Sequence, residues 1–304
     1  MSRAHPVRPT WRTVDAGGTR TRVMEAGAGD PLLFLHGWGL SPRTYAEGVT
    51  RLAAGGVKVI APALPGFGGS DGPPLRSIGL AAYSRWVADL VQELGHDKPL
   101  FVAGHSFGGG VALQFATDHA ERVRSLTLVN SVGGAPGRRT GLADASWLRW
   151  MAGSLTELSP RELTESAPSM LRDFVPNAVR RPLTLALTAR LALTVDLSAE
   201  AAALVSRGMP VLFVWGDQDR LILPGALRSI EGALPAEVVR GRHGWLLTQP
   251  EEFATLMRNA LVVHAMLERS RRGQSVRFPK GTSLADFIPP ERRSVTRVAP
   301  EPPS

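Results

Sequence analysis

The spacing of apolar residues along the chain switches repeatedly between strand-like runs and helical periods. Thr10–Asp15 and Thr19–Glu25 read as strands joined by Ala16-Gly17-Gly18, a hairpin signal. Pro31–Leu35, Val57–Ala61, Pro99–Ala103, Val123–Val129 and Met209–Trp215 are short apolar runs, as strands buried on both faces require. Between them, helical spacing recurs. Ser41-Pro42 opens one helix, with Ser as its cap and Pro at its first position, and Gly55-Gly56 closes it. A second runs from Ile78 to Leu94, and a third carries Val111, Leu113, Phe115 and Ala116. Glu237–Arg240 reads as a late strand, and Pro250–Arg269 as a final amphipathic helix. Strands alternating with helices predict an α/β fold: a mostly parallel sheet with helices on both faces.

The alternation stops between Ser131 and Gly208. Only helical segments are read there: Leu142–Leu155, Pro160–Phe174, Val179–Val195 and Ser198–Arg207. This predicts three regions: a core of residues 1–130 and 209–268, an all-helical cap inserted at 131–208, and a tail at 269–304. The chain of 304 residues has 43% hydrophobic and 20% charged residues, an ordinary globular composition. The tail holds eight Lys or Arg and three acids, so it carries five of the eight net positive charges. Its prolines and lack of apolar period predict a flexible extension. It reads first as solubilising and second as a contact for an anionic surface. With the excess charge placed there, no nucleic-acid partner is expected. No apolar run approaches the ~18 residues of a membrane span, and residues 1–10 hold no apolar signal segment, so a cytoplasmic location is expected.

The absence of cysteine excludes disulfides, thiolate metal sites and a cysteine nucleophile. No histidine cluster has metal-ligand spacing, and His5, His96, His119 and His264 suggest no special role. The glycine-rich loops lack the Gly-Lys-Ser/Thr of a phosphate loop, and neither opens a dinucleotide-binding unit. No cofactor and no metal are therefore expected. Gly-x-Ser-x-Gly occurs twice, at Gly68–Gly72 and at Gly104–Gly108. Ser70 has no strand leading into it and reads as a turn residue. Ser106 stands between an apolar strand and a helix, where a tight turn lifts the hydroxyl above a sheet edge. The flanking Gly104 and Gly108 permit the strained backbone such a turn needs. His36-Gly37-Trp38-Gly39 ends an earlier strand. Asp217 and Asp219 follow the strand ending at Trp215, and His243 follows the next one. Serine, aspartate and histidine, each just beyond a strand, are the parts of a nucleophile, base and orienting anion.

With these motifs the chain resembles the α/β-hydrolase superfamily over about residues 10–268, with Pro65–Ser70 as a further matching segment. The resemblance implies the α/β-hydrolase fold. It implies Ser106 as nucleophile, His243 as base and then acid, and Asp219 as orienting acid, with Asp217 bonding its own turn. It implies an oxyanion hole from the backbone N–H groups of Trp38 and Phe107. His36, Gly37, Gly104 and Gly108 would support this site. One departure is visible: Ala63 stands where the family usually carries an aspartate, which predicts a local loss of hydrogen bonding. Serine at 106 departs from the aspartate of epoxide hydrolases and haloalkane dehalogenases.

The expected function is serine-based hydrolysis of a carboxylic ester, lactone or thioester through an acyl-enzyme. The partner would be a small, apolar acyl substrate. Trp147, Trp150 and Met151 of the cap, and Trp245 beside His243, are candidates for its pocket; packing of the cap on the core is the alternative for the first three. Two other readings stay open: a carbon–carbon bond hydrolase of the meta-cleavage-product type, and a non-catalytic ligand-binding homologue.

Overall fold

The structure is a computed structural model. It describes residues 7–134, 164, 166–222 and 236–271. Eight strands form one sheet: β1 (Thr10–Ala16), β2 (Thr19–Ala26), β3 (Asp30–Leu35), β4 (Val57–Pro62), β5 (Leu100–His105), β6 (Val123–Val129), β7 (Val211–Gly216) and β8 (Ala236–Val239). Their order across the sheet is β1-β2-β4-β3-β5-β6-β7-β8. β2 runs antiparallel to both β1 and β4, and all other pairings are parallel. Gly17 and Gly18 close the β1–β2 hairpin with φ of 57° and 78°. Positive φ at both central residues matches the right-handed twist of the two strands, which is why glycine is suited there.

The helices are α1 (Ala46–Ala53), α2 (Leu80–Glu93), α3 (Phe107–Asp118), α4 (Ala167–Arg180), α5 (Pro182–Thr194), α6 (Ser198–Ser206), the single turn α7 (Trp245–Thr248) and α8 (Pro250–Arg271). The unbroken apolar runs serve two cores, because successive side chains point to opposite faces. Leu33, Leu35, Ile60 and Val102 face one core, with residues of α2 and α3. Leu32, Phe34, Val59, Phe101 and Ala103 face the other, with Val49 and Leu52 of α1 and Phe253 and Met257 of α8.

Between β6 and β7 the described chain is helical and forms an insertion. The segment expected as one helix over Val179–Val195 is broken: Arg181 has φ −142° and ψ 52°, and Pro182 opens α5. Proline disfavours helical backbone in the residue before it, so a new helix begins there. Ser41 caps as expected, accepting from the Arg43 N–H at 3.2 Å, but it opens a 3₁₀ turn, Pro42–Tyr45, ahead of α1. The expected helix Leu142–Leu155, and with it Trp147, Trp150 and Met151, lies outside the described residues. So does the tail beyond Arg271. Among the described residues no helix is long and apolar enough to cross a membrane, and no group of His, Asp or Glu has the arrangement of a metal site.

Candidate active site

Four strands that neighbour one another in the sheet, β5, β6, β7 and β8, run parallel. Their carboxyl ends therefore lie along one edge, where parallel sheets place ligands. Each end contributes one side chain to a single hydrogen-bonded group. Ser106 follows β5, Asn130 follows β6, Asp219 follows β7 and His243 follows β8.

Ser106 joins β5 to α3 with φ 52° and ψ −119°. Such a conformation in a residue bearing Cβ costs on the order of 1–3 kcal/mol and survives only where its surroundings enforce it. The surroundings are main chain. Ser106 N–H donates to Val129 O at 3.0 Å, and Ser106 O accepts from Gly109, Gly110 and Val132 at 2.9, 3.3 and 3.2 Å. The motif glycines are demanded by close backbone approach. A Cβ on Gly104 would stand 2.3 Å from Gly108 O, and one on Gly108 would stand 2.3 Å from Leu35 O. These two glycines thus let the Ser106 turn nest against β3.

His243 Nε2 lies 2.9 Å from Ser106 Oγ, and His243 Nδ1 lies 2.8 Å from Asp219 Oδ2. The carboxylate can only accept, so Nδ1 carries the proton and Nε2 is the free base facing the hydroxyl. Asp219 Oδ1 accepts the N–H groups of Leu221 and Ile222 at 2.8 and 3.1 Å. Asn130 donates its amide to the Asp219 Oδ2 as well. Burial alone would raise the Asp219 carboxyl. The charge and hydrogen bond of His243, with the Asn130 and Ile222 bonds, outweigh it and hold the carboxyl below its ordinary value. Asp217 is exposed, and instead of bonding its own turn, as expected, its carboxylate accepts the Gly241 N–H at 2.9 Å, 24 residues away in the loop after β8. Of the two aspartates, only Asp219 reaches His243.

Asn130 was not among the residues expected at the site. It has φ 44°, a left-handed conformation that asparagine tolerates better than most residues. Its Oδ1 accepts the Trp245 indole N–H at 2.8 Å, so its Nδ2 is turned toward Asp219. The available signal was its position directly after β6, at the same sheet edge as the other three. Trp245 is a correction. Expected at the substrate pocket, it is 1% exposed and packs on Phe253 at 6.4 Å between ring centres. Its apolar ring completes the core, and its one donor orients Asn130.

The corner after β3 is held from both sides. His36 is fully buried, and burial lowers its pKa to about 4. Its Nε2 accepts the Leu64 N–H at 2.9 Å, which places the ring proton on Nδ1, facing Gly37 O at 2.8 Å. This neutral ring joins the two loops. From the insertion, Asn177 donates to Gly39 O at 3.1 Å, and Asp173 accepts both Ser41 Oγ and Thr44 Oγ1 at 2.5 Å. The Trp38 indole donates to Leu185 O and Thr188 Oγ1 at 3.1 and 3.0 Å. Phe107 begins α3, so its N–H has no acceptor within the helix and is set beside Ser106. Ala63 has no side-chain group to bond, and its bonds are those of its main chain. Its N–H donates to Arg22 O at 2.8 Å, and its carbonyl accepts Ser70 Oγ at 2.8 Å. The buried side-chain atoms left without a partner, among the described residues, are Ser84 Oγ, His96 Nε2 and His264 Nδ1.

Residues 32–256 match the family model described as "Alpha/beta hydrolase family". The chain belongs to the alpha/beta hydrolase family. It is 39% identical to a 2-hydroxymuconate semialdehyde hydrolase of Pseudomonas sp. (strain CF600) over 142 residues, 45% of this chain and 48% of that protein. It is 27% identical to Lipase 1 of Psychrobacter immobilis over 252 residues, 74% of each chain. Among solved structures, a serine hydrolase involved in carbazole degradation superposes with a TM-score of 0.69 at 21% identity, covering 84% of this chain and all of that one. At that identity the likeness is one of fold.

Proposed function

We propose that the protein is a serine hydrolase that cleaves a carboxylic ester, lactone or thioester through an acyl-enzyme. The observation that carries this reading is the unbroken chain Ser106–His243–Asp219, at 2.9 and 2.8 Å. As the Ser106 Oγ bonds to the acyl carbon, its proton passes to His243 Nε2, and the carbonyl oxygen becomes an oxyanion between the N–H groups of Phe107 and Trp38. Each such donor is typically worth ~10²–10³ in rate. Asp219 stabilises the imidazolium and stays ionised. Collapse breaks the bond to the leaving group, which takes the proton from Nε2. Water then repeats the sequence, with His243 as base, and releases the acid. The apolar character assigned to the substrate is supported by the leucines and alanines of α5, whose Leu185 lies against Gly39 at the site's corner.

Two measurements test this. A fluorophosphonate should add its mass at Ser106, and a short acyl p-nitrophenyl ester should give a burst of p-nitrophenol. Labelling at Ser70 overturns the assignment of Ser106, and neither label nor burst overturns the proposal in favour of a non-catalytic homologue. The 39% identity to a 2-hydroxymuconate semialdehyde hydrolase supports a second reading, carbon–carbon bond hydrolysis by the same three residues. A panel of esters, a lactone and a meta-cleavage dienoate separates the two: preference for the dienoate by k_cat/KM selects the second.

A further inference from the structure

A second line of hydrogen bonds runs beneath Ser106. The Gly37 N–H lies 3.0 Å from Tyr45 Oη, Tyr45 Oη lies 2.8 Å from His105 Nδ1, and His105 Nε2 lies 3.1 Å from the main-chain oxygen of His243. The direction of every bond is fixed by its ends. An amide N–H only donates, so the Tyr45 oxygen accepts it and sends its single proton to Nδ1. Nδ1 is then an acceptor, so the neutral ring carries its proton on Nε2, aimed at a carbonyl that only accepts. A charged His105 would carry protons on both nitrogens and could no longer accept from Tyr45. Burial and the neighbouring His243 hold the ring neutral, with a pKa lowered to about 3. The line occupies tight space: a Cβ on Gly37 would stand 2.9 Å from Tyr45 Oη and 3.0 Å from His105 Nδ1.

Its ends are what give it consequence. Gly37 precedes Trp38, whose N–H is assigned to the oxyanion. His105 precedes the nucleophile, and the last acceptor belongs to the base itself. We propose that Tyr45 and His105 are positioning residues that lock the oxyanion corner, the nucleophile turn and the base loop into one register. This rests on the serine-hydrolase reading above. Neither residue touches the acyl group, so both act on k_cat through geometry. A displacement of about 1 Å at such a site can cost ~10² in rate.

The test is a double-mutant cycle with three variants. Tyr45→Phe removes only the hydroxyl and leaves the ring against Phe34, 5.2 Å away between centres. His105→Asn supplies an acceptor near Nδ1 but no donor toward His243, and His105→Gln does the reverse. Each should lower k_cat tenfold to a hundredfold for a small ester, with KM within about threefold. The rate of Ser106 labelling by a fluorophosphonate should fall in parallel. The Tyr45→Phe/His105→Gln double variant should lose no more than the worse single one, because both cut one line. Histidine ¹⁵N NMR of the wild type should place the His105 proton on Nε2. Multiplying losses in the double variant, a k_cat unchanged by Tyr45→Phe, or a His105 proton on Nδ1 would each overturn the lock. Failure of the underlying reading looks different: Ser106 of the wild type is then not labelled at all.

Discussion

Two stretches of this molecule carry the same five-residue pattern, Gly68–Gly72 and Gly104–Gly108, and both central serines are buried, at 1% and 5% exposure. Ser70 is spent on the fold. Its Oγ accepts the Arg22 N–H at 3.0 Å and donates to Ala63 O at 2.8 Å, which ties the loop after β4 to β2. Ser106 instead leaves its main-chain bonds to the backbone and offers its hydroxyl to a histidine. A glycine-flanked serine is thus a statement about backbone freedom alone. Chemistry arises only where the turn stands at the carboxyl end of a strand whose parallel neighbours also end in polar side chains. Asp217 and Asp219 repeat the contrast two residues apart, one bonding the main chain of Gly241 after β8 and one the imidazole.

The sharpest way to break the comparison is to remove each hydroxyl. Ser106→Ala should lower k_cat by about 10⁶, the loss seen when a serine-triad nucleophile is deleted, with an unchanged circular dichroism spectrum. Comparable residual turnover in that variant would return the chemistry to another residue. Next in size, Asp219→Asn should lower k_cat by up to ~10⁴ by misdirecting the imidazole proton, while Asp217→Asn should stay within tenfold. If Asp217→Asn is the inactive one, the aspartates have been assigned in the wrong order. Asn130→Ala should follow, with a tenfold to hundredfold lower k_cat and a loss of about 1–3 kcal/mol in stability, since Asp219 loses a donor and the buried Trp245 N–H its acceptor. Chemical denaturation beside steady-state kinetics resolves the two effects; a change in stability alone would make Asn130 a fold residue like Ser70.

Acid should loosen the supports of both serines. His36 beside the Ser70 loop and His105 below Ser106 have pKa values lowered by burial to about 4 and about 3, and His264 in α8 to about 4. The unfolded chain binds these protons near pH 6.5, and the folded chain does not. Unfolding therefore takes up protons below about pH 6.5, and stability falls with pH by up to ~1.4 kcal/mol per unit for each ring. The Tm measured from pH 8 to pH 4 should be level at first and then drop with rising slope; a Tm that climbs across this window would contradict neutral burial. The smallest effect is that of Ser70→Ala, which orphans the Arg22 N–H and should cost about 1–3 kcal/mol. Its k_cat should stay within threefold, and a tenfold loss would erase the distinction between the two serines.

The eight strands, the two glycine turns and the three residues of the Ser–His–Asp chain were legible because each has a local cause. An apolar run buried on both faces reads as a strand, two glycines close a hairpin, and Ser106 follows such a run directly. Pro182 shows the limit of periodicity: the apolar spacing continues from α4 into α5, but the ring ends one helix and begins the next. Trp245 and Asn130 show another limit. A tryptophan beside a histidine looks like a pocket wall, and an asparagine at a strand end looks like a turn. Their bond to each other joins residues 115 positions apart.

The sequence by itself determined the parallel α/β sheet and the order Ser106, Asp219, His243, since hydrophobic period, glycine and chain order are local or linear properties. Only the tertiary structure decided which serine and which aspartate meet His243. It alone showed that Asn130, Tyr45 and His105 stand behind them, and that Asp173 and Asn177 of the insertion bond to the corner after β3. The reason is the directionality of hydrogen bonds. A side chain's role follows from the donor or acceptor facing it, and the sheet brings that partner from 60, 89 or 137 residues away.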